Sequence, residues 1–211
     1  TETKDSDTAN IEHISKSVIP FLNIGYIESL INNLVRDILN WNPKAAKVSF
    51  KNVPGKKFTE RLIKILSQPE YAENLKNIED NLRDFHLLKD RVDYFKDLLS
   101  SPKKILTALE NHEERLTWQI RRIYRARNII VHSGLTPPYT KQLIEHTRDY
   151  LDIILDNLVA LGSDPKIAKS TTQGFKYMEL QYQSYIEKLN EKNLTFTNTN
   201  IVPLTLSQRN S

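Results

Sequence analysis

Cysteine is absent from this chain, which removes disulfide frameworks and thiolate metal sites and suits a reducing compartment. Any metal site would need His, Asp or Glu ligands. Glycine is scarce, with 5 in 211 residues, and no glycine-rich phosphate loop, nucleophile elbow or nucleotidyltransferase carboxylate pair occurs. No uninterrupted apolar run approaches the roughly 18 residues that cross a bilayer, and the N-terminus lacks a signal-peptide hydrophobic segment. The expectation is a soluble, cytoplasmic protein with no membrane partner. A large charge of one sign is also missing, because 30 Lys and Arg against 26 Asp and Glu leave only +4. The mean charge is therefore a weak argument for a nucleic-acid partner.

What is present starts with length. A chain of 211 residues can bury a core without metal or disulfide support and fits one domain. Its only methionine is Met178, so it opens without an initiator, on the polar leader Thr-Glu-Thr-Lys-Asp-Ser-Asp-Thr. It is expected to be a piece of a longer protein, in which a sensor domain has a place.

Residues 1–9 read as a disordered leader, and Ile11, Ile14, Val18 and Ile19 as a short helix stopped by Pro20. From Phe21 to Leu39 the apolar residues repeat at three and four, which predicts a helix with one buried face. Asn42-Pro43 ends it. The stretch 44–57 carries five lysines and Pro54-Gly55, and reads as a basic loop or a short hairpin. Further helices are predicted over Phe58–Leu66 and over Glu70–Leu99, the second with a break near Asp84.

Ser101-Pro102 is a start signal, since serine caps free N–H groups and proline is tolerated in the first turn. The helix it opens should run to about His132, kinked or divided near Asn111 or His112, and stop at Ser133-Gly134. Another is predicted over Tyr139–Leu161, and a last one from Ser163-Asp164-Pro165 to about Asn193. The Thr- and Asn-rich tail, 194–211, reads as one strand or as loose chain. No internal repeat is visible. The sum is an all-α bundle of about six to eight helices, forming a single domain over 10–193.

Four of the 11 arginines fall between Arg121 and Arg127, just before an apolar run that ends in His132. Arg followed four to six residues later by His is common by chance. Requiring Asn directly after that Arg, as in Arg127-Asn128, lowers the expectation to roughly 0.07 matches in a chain of this composition. Asn128 lies one helical turn before His132 and shares its face, suited to orienting the ring, to binding a phosphate, or to a plain structural hydrogen bond. Arg127 lies roughly 140° around an ideal helix from His132. The two converge if the helix loosens near His132 or if two copies meet. The alternative is structural: Arg127 pairs with a carboxylate, and His132 caps the negative end of the helix dipole.

Arg121-Arg122-Ile123-Tyr124-Arg125-Ala126-Arg127-Asn128-Ile129-Ile130-Val131-His132-Ser133-Gly134 resembles the signature of HEPN domains, particularly the Apea-like group of prokaryotic defence proteins. The strong match covers about Trp118 to Gly134, and the helices over 101–161 suit that family's motif helix and its successor. The resemblance implies a metal-independent, cofactor-free RNA endonuclease of antiviral or toxin-type defence, acting as a homodimer, with Arg127 and His132 as its catalytic pair. Such enzymes make the 2′-OH of the RNA attack the adjacent phosphate, leaving a 2′,3′-cyclic phosphate and a 5′-OH. The residue types fit, because imidazole moves protons near neutral pH and guanidinium holds charge growing on phosphate oxygens. Arg121, Arg122 and Arg125 are then expected along the RNA backbone. His112-Glu113-Glu114-Arg115 lacks the second histidine of a zinc-protease motif and reads as an ion-paired helix surface.

Overall fold

The computed structural model describes residues 2–164 and 166–206, with side chains described from residue 9 onward. All regular structure among them is helical: α1 (Glu2–Asn23), α2 (Tyr26–Trp41), α3 (Pro43–Ser49), α4 (Phe58–Ser67), α5 (Ala72–Asn81), α6 (His86–Leu98), α7 (Pro102–Ser133), α8 (Thr140–Gly162), α9 (Thr171–Leu189) and α10 (Ile201–Thr205). A 3₁₀ turn over Pro69–Tyr71 precedes α5. The all-α bundle expected from periodicity is what this chain builds.

The backbone groups into two compact units, each assembled from separated segments. The first joins the chain up to Ile24 with Glu110–Tyr185, and the second joins Gly25–Leu109 with the chain from Ile186. Helices α7 and α9 each run from one unit into the other, so the chain expected as a single domain over 10–193 contributes to both.

In the second unit, α2 packs on α3, α4 and α6, and α4 also meets α5, α6 and α10. Ile27, Ile31, Leu34, Val35 and Ile38 repeat at three and four along α2 and are buried, as are Leu62, Ile63, Ile65 and Leu66 on α4. Each such side chain contributes about 1.5–3 kcal/mol by leaving water. In the first unit α1 packs on α8, and Phe21 meets Phe175 edge to face with ring centroids 4.9 Å apart.

Several sequence expectations needed correction. Helix α1 reaches back to Glu2, into the leader read as disordered, and runs through Pro20 to Asn23. Pro20 lies in the last turn, so its missing N–H costs one helical bond, and it is buried beside Ile19, Phe21 and Leu22. The helix predicted from Phe21 is broken at Ile24-Gly25, where the chain changes units. An 18-residue window within Ala9–Trp41 does reach a membrane-compatible mean hydropathy of 1.2, but 61% of it is buried in the fold.

The basic segment 44–57 is helix for half its length. Asn42 both ends α2 and caps α3, its side chain accepting from the Ala45 N–H at 3.1 Å with Pro43 in the first turn. The remainder is a turn with Asn52 in the left-handed region at φ 64°. Lys64 Nζ and Arg61 Nε tie it down by donating to the carbonyls of Pro54 and Gly55 at 2.9 and 3.0 Å. The break near Asp84 is present between α5 and α6, whereas α7 is undivided at Asn111 and His112. Helix α9 starts at Thr171 rather than at Ser163-Asp164-Pro165, and the tail carries the short helix α10 in place of a strand. Pro165 and residues 207–211 lie outside the described residues.

Candidate functional site

The C-terminal half of α7 carries every residue singled out by the motif. It remains α-helical through Ser133, and Gly134 follows at φ 67° with its N–H bonded to the Ile130 carbonyl at 3.0 Å. That is a left-handed glycine stop, and it leaves His132 in the last turn. The helix therefore does not loosen before His132, and roughly 140° of rotation still separates Arg127 from it.

Asn128 narrows that gap. Arg127 Nη1 donates to Asn128 Oδ1 at 3.0 Å, which draws the guanidinium toward the face that Asn128 shares with His132. Arg127 and His132 are exposed and Asn128 is half-buried. A guanidinium, an amide and an imidazole thus stand at one accessible helix end, where they can meet an anion from solvent.

The three arginines assigned to the RNA backbone have different surroundings. Arg125 is exposed. Arg121 lines a cleft of about 650 Å³ with Glu110, Glu113, Glu114, Thr117 and Trp118. Arg122 is held between rings, its guanidinium carbon 4.7 Å from the Trp118 centroid and 5.3 Å from that of Tyr139. Trp118, Arg122, Arg125 and His132 all fall within about 80° of one another around α7, with Arg121 just outside. Sequence reasoning missed Trp118 and Tyr139 as site residues. The four-residue spacing of Trp118 and Arg122 was a usable signal; the approach of Tyr139 was not, since it depends on the turn after Gly134.

The segment His112-Glu113-Glu114-Arg115, expected as an ion-paired surface, sends two of its side chains into a polar network. His112 Nδ1 lies 2.8 Å from Asn23 Oδ1, Asn23 Nδ2 donates to the Tyr182 hydroxyl at 2.6 Å, and that hydroxyl donates to Glu113 Oε2 at 3.1 Å. The amide oxygen only accepts, so His112 carries its proton on Nδ1 and the donors run one way along the chain. Burial of the ring, and secondarily the Arg115 charge, lower the His112 pKa from 6.5 to about 4. Burial and then the Glu113 carboxylate push the Tyr182 hydroxyl above its ordinary range. This network joins α1, α7 and α9 inside the first unit.

Helix α8 presents an apolar stripe to solvent. Ile144, Leu151, Leu155 and Val159 are 62, 51, 55 and 72% exposed and fall within about 80° around the helix. Ile130 and Val131 of α7 and Leu135 beyond it are exposed as well. Among the described residues, no group of three or more His, Asp or Glu is placed to share a metal ion. No family model, curated protein or solved structure matches this chain.

Proposed function

We propose that this chain is an RNA endonuclease of the HEPN type, cutting without a metal through an active site made by two copies. The observation that carries the reading is the Arg127–Asn128 hydrogen bond one turn from His132, at an exposed helix end. The chemistry needs a base at the 2′-OH and an acid at the leaving oxygen, which two imidazoles can supply, and the motif occurs once per chain. A twofold pairing supplies the second. The exposed stripe on α8 supports such a pairing, because apolar surface of this kind favours burial against a like surface.

In the reaction, one His132 takes the proton of the 2′-OH as O2′ bonds to phosphorus. The P–O5′ bond breaks, and the His132 of the other copy protonates the departing oxygen. Arg127 holds the charge that builds on the non-bridging oxygens. Asn128 keeps Arg127 turned toward that phosphate. A role in antiviral or toxin-type defence belongs to the same reading and rests on the resemblance.

Single-stranded RNA incubated with the protein in EDTA should be cut to products ending in 2′,3′-cyclic phosphate, and a DNA copy lacking the 2′-OH should survive. Arg127→Ala and His132→Ala should each lower cleavage at least a hundredfold. Leu155→Glu should convert a dimer to monomer in sedimentation and abolish cutting. RNA binding without product from the unmodified chain would instead identify an inactive HEPN-like binding module, and equal cutting of DNA would rule out 2′-OH attack.

A further inference from the structure

Trp118 has a chemical setting that the cleavage reaction does not use. Arg122 lies over one face of its indole, 4.7 Å from the ring centroid, yet the residue is still 57% exposed. An aromatic ring that is stacked on one side and open elsewhere can hold a flat ligand. The open depression it borders is lined wholly by α7, with Glu110, Glu113 and Glu114 one to two turns before Trp118 and Arg121 about one turn after it. Glu113 already accepts from Tyr182, and Glu114 sits one helical turn before Trp118 on the same face.

These groups sort a nucleotide by its parts. Carboxylates repel phosphate, so the acidic end suits a base edge that carries donors. Of the four RNA bases, guanine alone presents two adjacent donors, N1–H and N2–H, spaced to meet both oxygens of one carboxylate. The indole supplies the stacking plane, and Arg121 and Arg125, one to two turns closer to His132, suit the phosphates that follow.

Resting on the RNA reading above, we infer that Trp118 and Glu114 form a subsite for an unpaired guanine, which sets where the strand lies relative to His132. Trp118 is the stacking surface and Glu114 reads the Watson–Crick edge. Arg122 and Tyr139 hold the indole in place.

The test uses the His132→Ala chain, so that bound RNA stays intact, and short uridine oligonucleotides carrying one guanosine, adenosine or abasic residue. The guanosine oligonucleotide should bind about tenfold more tightly than the abasic one and quench tryptophan emission. Trp118→Ala should erase that gain, Trp118→Phe should keep most of it while losing the quenching, and Glu114→Gln should remove the preference for guanosine over adenosine. Equal affinity for guanosine and abasic oligonucleotides, or a preference unchanged by Trp118→Ala, would overturn the subsite. Guanosine-selective binding by a chain that never cuts RNA would leave the subsite standing and refute only the nuclease. A chain that cuts RNA with no such selectivity would do the reverse.

Discussion

The two units spend their apolar residues differently. Among the described residues, eleven of the twelve largest nearly inaccessible side chains belong to the second unit, among them Phe50, Ile31, Leu62 and Leu82, and only Phe21 to the first. The exposed large apolar residues are distributed the other way. Of the eighteen among the described residues, thirteen lie in the first unit, including Trp118, Val131, Ile144, Leu155 and Val159. Both units carry amphipathic helices, so patterning does not explain the contrast. The second unit covers its apolar faces with its own helices, whereas the first leaves the stripe on α8 exposed, along with Ile130, Val131 and Leu135 at the end of α7. Its buried apolar residues, such as Leu22, Leu116, Ile120 and Met178, are joined by a polar chain through His112, Asn23, Tyr182 and Glu113.

The largest expected effect tests the second unit. Ile31→Ala, at a fully buried position on α2, should cost about 2–5 kcal/mol in chemical denaturation. Leu155→Ala on the exposed stripe of α8 should stay within about 0.5 kcal/mol when the chain is held monomeric. A comparable loss at both positions would break the contrast between the units.

Next comes the polar chain. Tyr182→Phe leaves Asn23 Nδ2 and Glu113 without that hydroxyl and should cost about 1–3 kcal/mol, read by thermal melting. An unchanged melting temperature would mean that the network contributes little to the first unit.

A smaller effect should appear with pH. Because the folded His112 pKa is lowered from 6.5 to about 4, the unfolded chain takes up the proton first as pH falls. The stability held by neutral His112 is complete above pH 6.5 and is lost as pH drops toward 4. Allowing for the ring's partial exposure, the loss should be about 1–2 kcal/mol. It should be reduced in His112→Gln, compared with the unmodified chain over the same pH range. Parallel pH profiles for the two would remove His112 from the account.

The smallest expected effect is at the helix stop. Gly134 sits at φ 67° with open space around the position of a Cβ, so Gly134→Ala pays only the left-handed backbone cost of about 1 kcal/mol. Cleavage should fall together with stability if the exit from α7 also positions His132. Stability falling alone would confine Gly134 to the fold.

Much of the helix content was legible because it depends on local chemistry. Three- and four-residue repeats mark α2 and α4, Ser101-Pro102 opens α7 and Ser133-Gly134 closes it. Signals with two meanings were misread. Asn42-Pro43 closes one helix and caps the next, and Pro20 proved tolerable because it falls in a final turn with buried neighbours. The motif residues were legible as a pattern along α7, whereas the Arg127–Asn128 hydrogen bond and the exposure of Arg127 and His132 were not.

By itself, then, the sequence determined an all-α chain and the helix that carries Arg127, Asn128 and His132, because helical periodicity, caps and stops act over a few residues. Only the tertiary structure decided that Ile144, Leu151, Leu155 and Val159 stay exposed while the equally periodic face of α2 is covered. It alone also placed Tyr139 over Arg122 and threaded His112 to Glu113 through Asn23 and Tyr182. Periodicity identifies an apolar face; what covers it depends on residues far away in the chain.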